Sequence, residues 1–107
     1  MTDIQRSDER FHVLFAEHLR DIQAYCVRRL PIHDANEAAA DVFVVVWRRI
    51  DELPADDEVV PWLYGIARNV VRNHRRSATR RLRLVAKAGS LAAEIHDGPE
   101  VQLASAP

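Results

Sequence analysis

The sequence predicts an all-α protein, a compact bundle of three main helices with a flexible C-terminal tether. Helix-favouring Ala, Leu and Arg are abundant, while the 107 residues include only three Gly and five Pro. Alternation of apolar and polar residues never extends beyond a few positions, so no strand is predicted. We expect a disordered N-terminus over residues 1–8, a helical domain over residues 9–84 and a linker or tail over residues 85–107.

The first helix is predicted over residues 9–30, where apolar side chains recur at spacings of three and four. Pro31 ends it, because a proline restricts the preceding residue to extended conformations. His18 and Cys26 lie in the apolar stripe of this helix. We interpret them as an imidazole at the edge of the core and a buried thiol.

A second helix is predicted from Asp34 to about Glu52, with Asp34 as N-cap and Glu37 completing a capping box. Its core stripe consists of Ala39, Val42, Val46, Ile50 and Leu53, with Phe43 on the flank. The outward half mixes acids with Val44 and Trp47. Two interpretations remain open: Trp47 folds under the first helix, or this acidic and aromatic face docks another protein.

The third helix is predicted over residues 61–83, after an acidic loop over residues 53–60, with Pro61 at its first position. One face of the helix is apolar, with Leu63, Ile66, Ala67 and Val70. The opposite face collects Arg68, Arg72, Arg75 and Arg76. Beyond about residue 84 the composition is typical of a tether.

Charge is distributed very unevenly along the chain. Residues 1–58 carry seven cations and thirteen acids, residues 59–93 carry eight cations and no acid, and residues 94–107 carry three acids. A cationic helix without acids predicts an anionic partner, and the planar fork of Arg suits phosphate. Asn69 and Asn73 can address base edges, while Trp62 and Tyr64 either stack on unpaired bases or fasten the helix to the core.

Catalysis and metal binding find little support in the sequence. The five His are scattered without an HExxH pairing, and the single Cys has no partner for a zinc site or an internal disulfide. We therefore expect no enzyme, no cofactor and no metal. The chain also lacks an apolar run of about 20 residues and a signal-peptide pattern, so we expect a cytoplasmic protein.

Two motifs occur at a specific separation: D-V-F-x-x-x-W from Asp41 to Trp47, and W-L-x-x-I-A-R-N from Trp62 to Asn69. Together they resemble region 2 of bacterial sigma factors of the extracytoplasmic-function group. The resemblance covers about residues 11–83, most of the foldable chain.

The resemblance implies a domain that binds core RNA polymerase and recognises and melts the minus-ten promoter element for transcription initiation. The second helix would dock on the clamp helices of the largest polymerase subunit through Glu37, Ala40, Asp41, Phe43 and Trp47. The acidic loop and third helix would contact promoter DNA, mainly the single-stranded minus-ten non-template strand. The DNA-binding residues implied are Asp57, Glu58, Trp62, Arg68, Asn69, Arg72, Asn73, Arg75, Arg76 and Arg80, with Asp56 also near a pocket for a flipped base. An anti-sigma protein is a further partner implied by the family.

The sequence departs from the family pattern at several points. Family members usually carry Gln in place of Ala40 and often Asp in place of Asn73. Complete members continue into a helix-turn-helix domain, so we expect a fragment or a chain without that domain, with weak DNA binding alone. The alternatives are a protein-interaction adaptor whose basic helix binds an acidic protein, and a general nucleic-acid-binding module.

Overall fold

A computed structural model describes residues 2–96 of the chain, with side chains through residue 90. Its α-helices are α1 (Asp3–Val27), α2 (Ile32–Arg48) and α3 (Val59–His96), and two 3₁₀ turns, Ile50–Glu52 and Asp56–Glu58, connect α2 to α3. No strand occurs within residues 2–96, which confirms the all-α prediction. The chain divides after His74 into two units, Met1–His74 and Arg75–Pro107.

Helix α1 begins earlier than the sequence analysis predicted. The backbone N–H of Gln5 donates to the Thr2 hydroxyl at 3.2 Å, and the Thr2 N–H donates to the Gln5 amide oxygen at 3.1 Å. This reciprocal capping box satisfies N–H groups that would otherwise lack partners at a helix start. The helix therefore starts at Asp3 rather than Glu9, and it ends at Val27, short of the predicted residue 30.

The start of α2 also differs from the prediction. The helix begins at Ile32 with Pro31 in the N-cap position, and no side chain caps it. Asp34, predicted to be the N-cap, is instead a buried residue of the first turn, where its charge suits the positive end of the helix dipole. Its partner in the predicted capping box, Glu37, faces His33 along the helix, with Oε1 lying 3.2 Å from the imidazole Nε2.

The connection from α2 to α3 contains more helical structure than a simple loop. The predicted second helix is interrupted after Arg48, and the Ile50–Glu52 turn follows, with Ile50 buried. After the second turn, α3 starts at Val59, so Pro61 is the third helical residue rather than the first. The position tolerates proline because the first four N–H groups of a helix have no intrahelical acceptor.

Apolar side chains from all three helices form the core of the unit Met1–His74. The core consists of Leu14, Ile22, Cys26, Leu30, Ala35, Ala38, Ala39, Val42, Phe43, Val46, Ile50, Leu63, Ile66, Ala67, Val70 and Val71. The predicted apolar faces of the second and third helices are thus confirmed, although Leu53 is only half-buried. Cys26 is fully buried, and this burial raises the pKa of its thiol, partly offset by the charge of Arg29.

In the unit Arg75–Pro107, α3 remains helical to His96, past residue 84 where the tether was predicted. Good helix formers such as Ala, Leu and Lys dominate this stretch. Leu82, Leu84 and Val85 are exposed there. The end of the predicted tail, residues 97–107, lies outside the described residues, so the division into domain and tail stays a prediction. Among the helices of residues 2–96, none is long and apolar enough to cross a membrane.

Candidate functional site

The outward side of α2 presents both acids and apolar side chains to solvent. We call this surface the α2 outer face and define it by Glu37, Ala40, Asp41, Val44 and Trp47, all of which are exposed. The opposite side of the helix is buried in the core. The sequence prediction that a tryptophan and a valine stand among acids on this side is therefore confirmed.

Trp47 combines the two interpretations that the sequence left open. Its ring meets Phe11 of α1 edge-to-face, with ring centroids 5.4 Å apart and an interplanar angle of 79°. The residue nevertheless remains 43% exposed. It also borders a groove of about 390 Å³ that Ile4 and Ser7 of α1 line from the other side. Trp47 is thus supported on one side and open to a partner on the other.

Phe43, predicted on the flank of α2 and among the docking residues, lies in the core instead. It is 3% exposed, and its ring packs edge-to-face against Phe15 at 4.9 Å and Phe11 at 6.5 Å. Helical periodicity alone places Phe43 at the boundary between the core and solvent, and aromatic rings from α1 cover it there. The structure therefore corrects the predicted placement: Phe43 lies beneath the α2 outer face, not on it.

Asp41 makes a contact that the sequence analysis missed. Its Oδ2 lies 2.7 Å from Nε2 of His74, across the boundary between α2 and α3. The two residues are 33 positions apart, so no local spacing in the sequence predicts that they pair. The available signal was weak: His74 follows buried Val70 and Val71 at helical spacing, which places it towards the packed side of α3.

Within the first unit, the exposed side of α3 is cationic and polar. Arg68, Asn69, Arg72 and Asn73 are exposed, and we call these four residues the α3 polar face. The apolar face of the same helix segment is buried in the core. Of the five DNA-binding candidates that α3 carries in the first unit, the structure thus exposes these four, while Trp62 is half-buried.

The two aromatic candidates at the start of α3 are only half-buried. Tyr64 packs edge-to-face against Tyr25 of α1, with ring centroids 5.3 Å apart, which favours the fastening role. The guanidinium of Arg49 lies 5.6 Å from the centroid of the Trp62 ring. Both residues pack against the core cluster, while each keeps part of its surface open to solvent.

The acidic turn Asp56–Glu58 is exposed and lies directly before α3. Asp56 borders an open groove of about 750 Å³, together with Arg10 and His18 of α1. Asp57 and Glu58, the acids predicted as DNA-binding residues, do not line this groove. The structure thus brings Asp56, rather than Asp57 or Glu58, to the edge of this groove.

In the second unit, Arg75, Arg76 and Arg80 are exposed on α3. Across the described residues, no group of three or more His, Cys, Asp or Glu is arranged to hold a metal ion. Every buried side-chain nitrogen or oxygen in this part of the chain has a hydrogen-bond partner.

Comparison with known proteins identifies the family. The model of the family described as Sigma-70 region 2 matches residues 14–81, more than half of the chain. The chain belongs to this sigma-70 region 2 family. The matched residues include all of α2, both connecting turns and the part of α3 that carries the α3 polar face.

A curated relative of this sigma region 2 domain is the RNA polymerase sigma-H factor of Pseudomonas aeruginosa. The two are 35% identical over 75 residues, which are 66% of this chain and 38% of that protein. The match thus spans well under half of the relative's length. No solved structure matches the chain.

Proposed function

We propose that this chain is the domain of a sigma factor that binds core RNA polymerase and recognises and melts the minus-ten promoter element. The observation that carries the proposal is the Sigma-70 region 2 match over residues 14–81, which contains both exposed faces. The motifs at Asp41–Trp47 and Trp62–Asn69 favour the extracytoplasmic-function group.

The proposed polymerase-docking surface is the α2 outer face. A half-exposed tryptophan on a rigid helix is a typical interface anchor, because it adds large contact area at low entropic cost. Glu37 and Asp41 supply negative charge beside it, which suits a cationic surface on the clamp helices. Phe43 supports this surface from below, so its proposed contribution is to the shape of the face rather than to direct contact.

The proposed DNA-binding surface is the α3 polar face. Arg68 and Arg72 are suited to phosphate oxygens, while Asn69 and Asn73 carry amide groups able to bond base edges. Further along the chain, Arg75, Arg76 and Arg80 are proposed to contact phosphates of the DNA backbone. Trp62 is the proposed stacking residue, and the acids of the turn are proposed to lie near the flipped base: Asp56, which borders the groove described above, with Asp57 and Glu58.

Promoter melting on such a surface is a matter of differential binding. If the domain binds the opened strand more tightly than the duplex, it shifts the equilibrium towards the melted promoter by the difference between the two binding free energies. Cationic side chains hold the separated strand, and a flipped base needs a stacking partner to replace its neighbours. These steps require no covalent chemistry, so we propose a non-enzymatic role. An anti-sigma protein that covers the same faces is proposed on family grounds alone.

The decisive experiment measures fluorescence anisotropy of labelled single-stranded oligonucleotides across a salt series, with and without core RNA polymerase. A minus-ten-like non-template strand is compared with a scrambled strand of equal composition. We expect tight binding only for the minus-ten strand and only with polymerase. Binding that depends on salt but ignores both sequence and polymerase would instead support a general nucleic-acid-binding module. A protein adaptor would bind neither strand.

A further inference from the structure

The bond between His74 and Asp41 differs from the other histidine–carboxylate contacts of the described chain. It measures 2.7 Å and joins two helices. Contacts of His12, His18 and His33 with acids on their own helices are longer, at 4.0, 3.7 and 3.2 Å. The His74 contact therefore has the length of a strong hydrogen bond, whereas the His12 and His18 contacts are too long for one and the His33 contact is an exposed pair within one helix.

The two partners of this bond differ in exposure. The His74 side chain is only 18% exposed, while that of Asp41 is 57% exposed. The enclosed imidazole has few positions available, so it can hold the carboxylate, which otherwise rotates freely in water. The neutral ring protonated at Nε2 and the imidazolium can both donate this bond.

The contact leaves part of the carboxylate available to a partner. His74 engages Oδ2, and an ionised carboxylate offers further acceptor sites on its second oxygen, Oδ1. Asp41 belongs to the α2 outer face, beside Ala40 and close in sequence to Trp47. An incoming Arg or Lys can therefore bond Asp41 without breaking the contact with His74.

We propose that His74 is a positioning residue for polymerase docking, holding the Asp41 carboxylate ready to accept a cationic side chain of the polymerase. The inference rests on the proposed function and adds to it a residue of α3 that does not touch the partner. Ordering a side chain before binding removes an entropic cost that the complex would otherwise bear. A single half-exposed pair contributes little to folding, so its loss is expected to affect docking more than stability.

The test is a competition assay between the unlabelled variant chains and the labelled 107-residue chain for core RNA polymerase. We expect His74→Ala to weaken association about 3- to 10-fold, the range expected when the complex must bear the cost of ordering one side chain on binding. His74→Gln should stay within about 2-fold of the parent, because its amide nitrogen can replace Nε2 as donor. Once Asp41→Ala is present, adding His74→Ala should cause no further loss.

The matched control is His12→Ala, which removes an exposed histidine 4.0 Å from Asp8 on α1 and should leave association unchanged. Circular dichroism of every variant reports whether the helices persist. The inference is overturned if His74→Ala binds like the parent, if His74→Gln fails to restore binding, or if the losses from His74→Ala and Asp41→Ala simply add. Loss of helical signal in His74→Ala would assign the residue to the core and also overturn it. If the parent chain itself does not bind polymerase, the proposed function fails, and this inference fails with it.

Discussion

Trp47→Ala tests two roles of the ring separately: its packing against α1 and its proposed contact with polymerase. Truncation of a fully buried Trp or Phe to Ala costs about 3 to 5 kcal/mol. Because Trp47 is 43% exposed, we scale this cost to about half and expect a stability loss of about 2 kcal/mol. That loss includes the edge-to-face pair with Phe11. Since domains typically have about 5 to 15 kcal/mol of stability, the variant should remain folded.

We expect Trp47→Ala also to weaken association with core RNA polymerase. A central aromatic anchor commonly contributes about 2 kcal/mol or more to an interface, so association should fall by about 30-fold. The reason is that a polymerase side chain packed against the exposed part of the ring and in the groove beside it would lose both contacts when the ring is removed. The size of the effect follows from the exposed area, not from damage to the core.

Urea denaturation and polymerase titration of the same protein sample measure the two effects side by side. Phe43→Ala is the matched comparison, because it removes a neighbouring ring that is 3% exposed. We expect that variant to lose about 3 to 5 kcal/mol of stability, clearly more than Trp47→Ala. Collapse of the helical signal in Trp47→Ala would show that the ring belongs to the core. A folded variant with unchanged polymerase affinity would remove Trp47 from the docking surface.

Three further predictions concern the DNA face, the thiol and the core. Arg72→Ala should weaken oligonucleotide binding in the presence of polymerase and lower by about one unit the slope of log affinity against log salt concentration. Arg20→Ala on α1 is the control and should change neither. If Arg72→Ala has the same slope as the parent chain, Arg72 does not contact phosphate. Burial raises the pKa of the Cys26 thiol above its ordinary value, so the thiol should resist iodoacetamide at neutral pH, and rapid alkylation of the native chain would contradict this. The contribution of the thiol to stability should be lost only as the pH rises from the pKa of an unfolded Cys through the raised pKa of the folded chain. Leu63→Ala should lower the free energy of unfolding by about 2 to 5 kcal/mol, because the side chain is fully buried. Leu82→Ala, at an exposed site, should change it by less than about 0.5 kcal/mol. Similar losses in the two variants would refute the assigned core.

Local patterns predicted the helices and their buried faces well. The apolar spacing in α3 placed Leu63 and Ile66 in the core and Arg68 and Arg72 in solvent, as the structure has them. Such success is expected, because a 3.6-residue period fixes which side chains share a face. The helix starts were less accurate. The T-x-x-Q pattern at Thr2 marks the true start of α1, whereas apolar spacing alone predicted a later start at Glu9.

The D-x-x-E pattern after Pro31 also predicted a helix start that is too late. It matches a capping box, yet α2 has already begun when the chain reaches Asp34. A local pattern cannot distinguish a cap from an acid in the first turn, because both positions favour negative charge. Only the tertiary packing that buries Asp34 separates the two cases.

Contacts between helices were beyond the reach of the sequence patterns. Phe43 is buried because rings from α1 cover it, and Asp41 meets His74 because α2 and α3 pack in one particular register. Periodicity describes each helix in isolation and contains no information on which turns of two helices face each other. The missed residues of the candidate site are therefore those whose role depends on a second helix.

The departure from the family pattern at Ala40 increases the importance of its neighbours. Ala40 has no polar side-chain atom, whereas the Gln that the resemblance leads us to expect at this position could bond a partner. In the proposed docking, this leaves the exposed part of Trp47 and the carboxylates of Glu37 and Asp41 as the groups of the α2 outer face that we expect to contact polymerase. Glu37 is paired only with His33 on the surface of its own helix, which orders it weakly. A carboxylate held from another helix, as Asp41 is by His74, is then the polar group best prepared for a cationic partner.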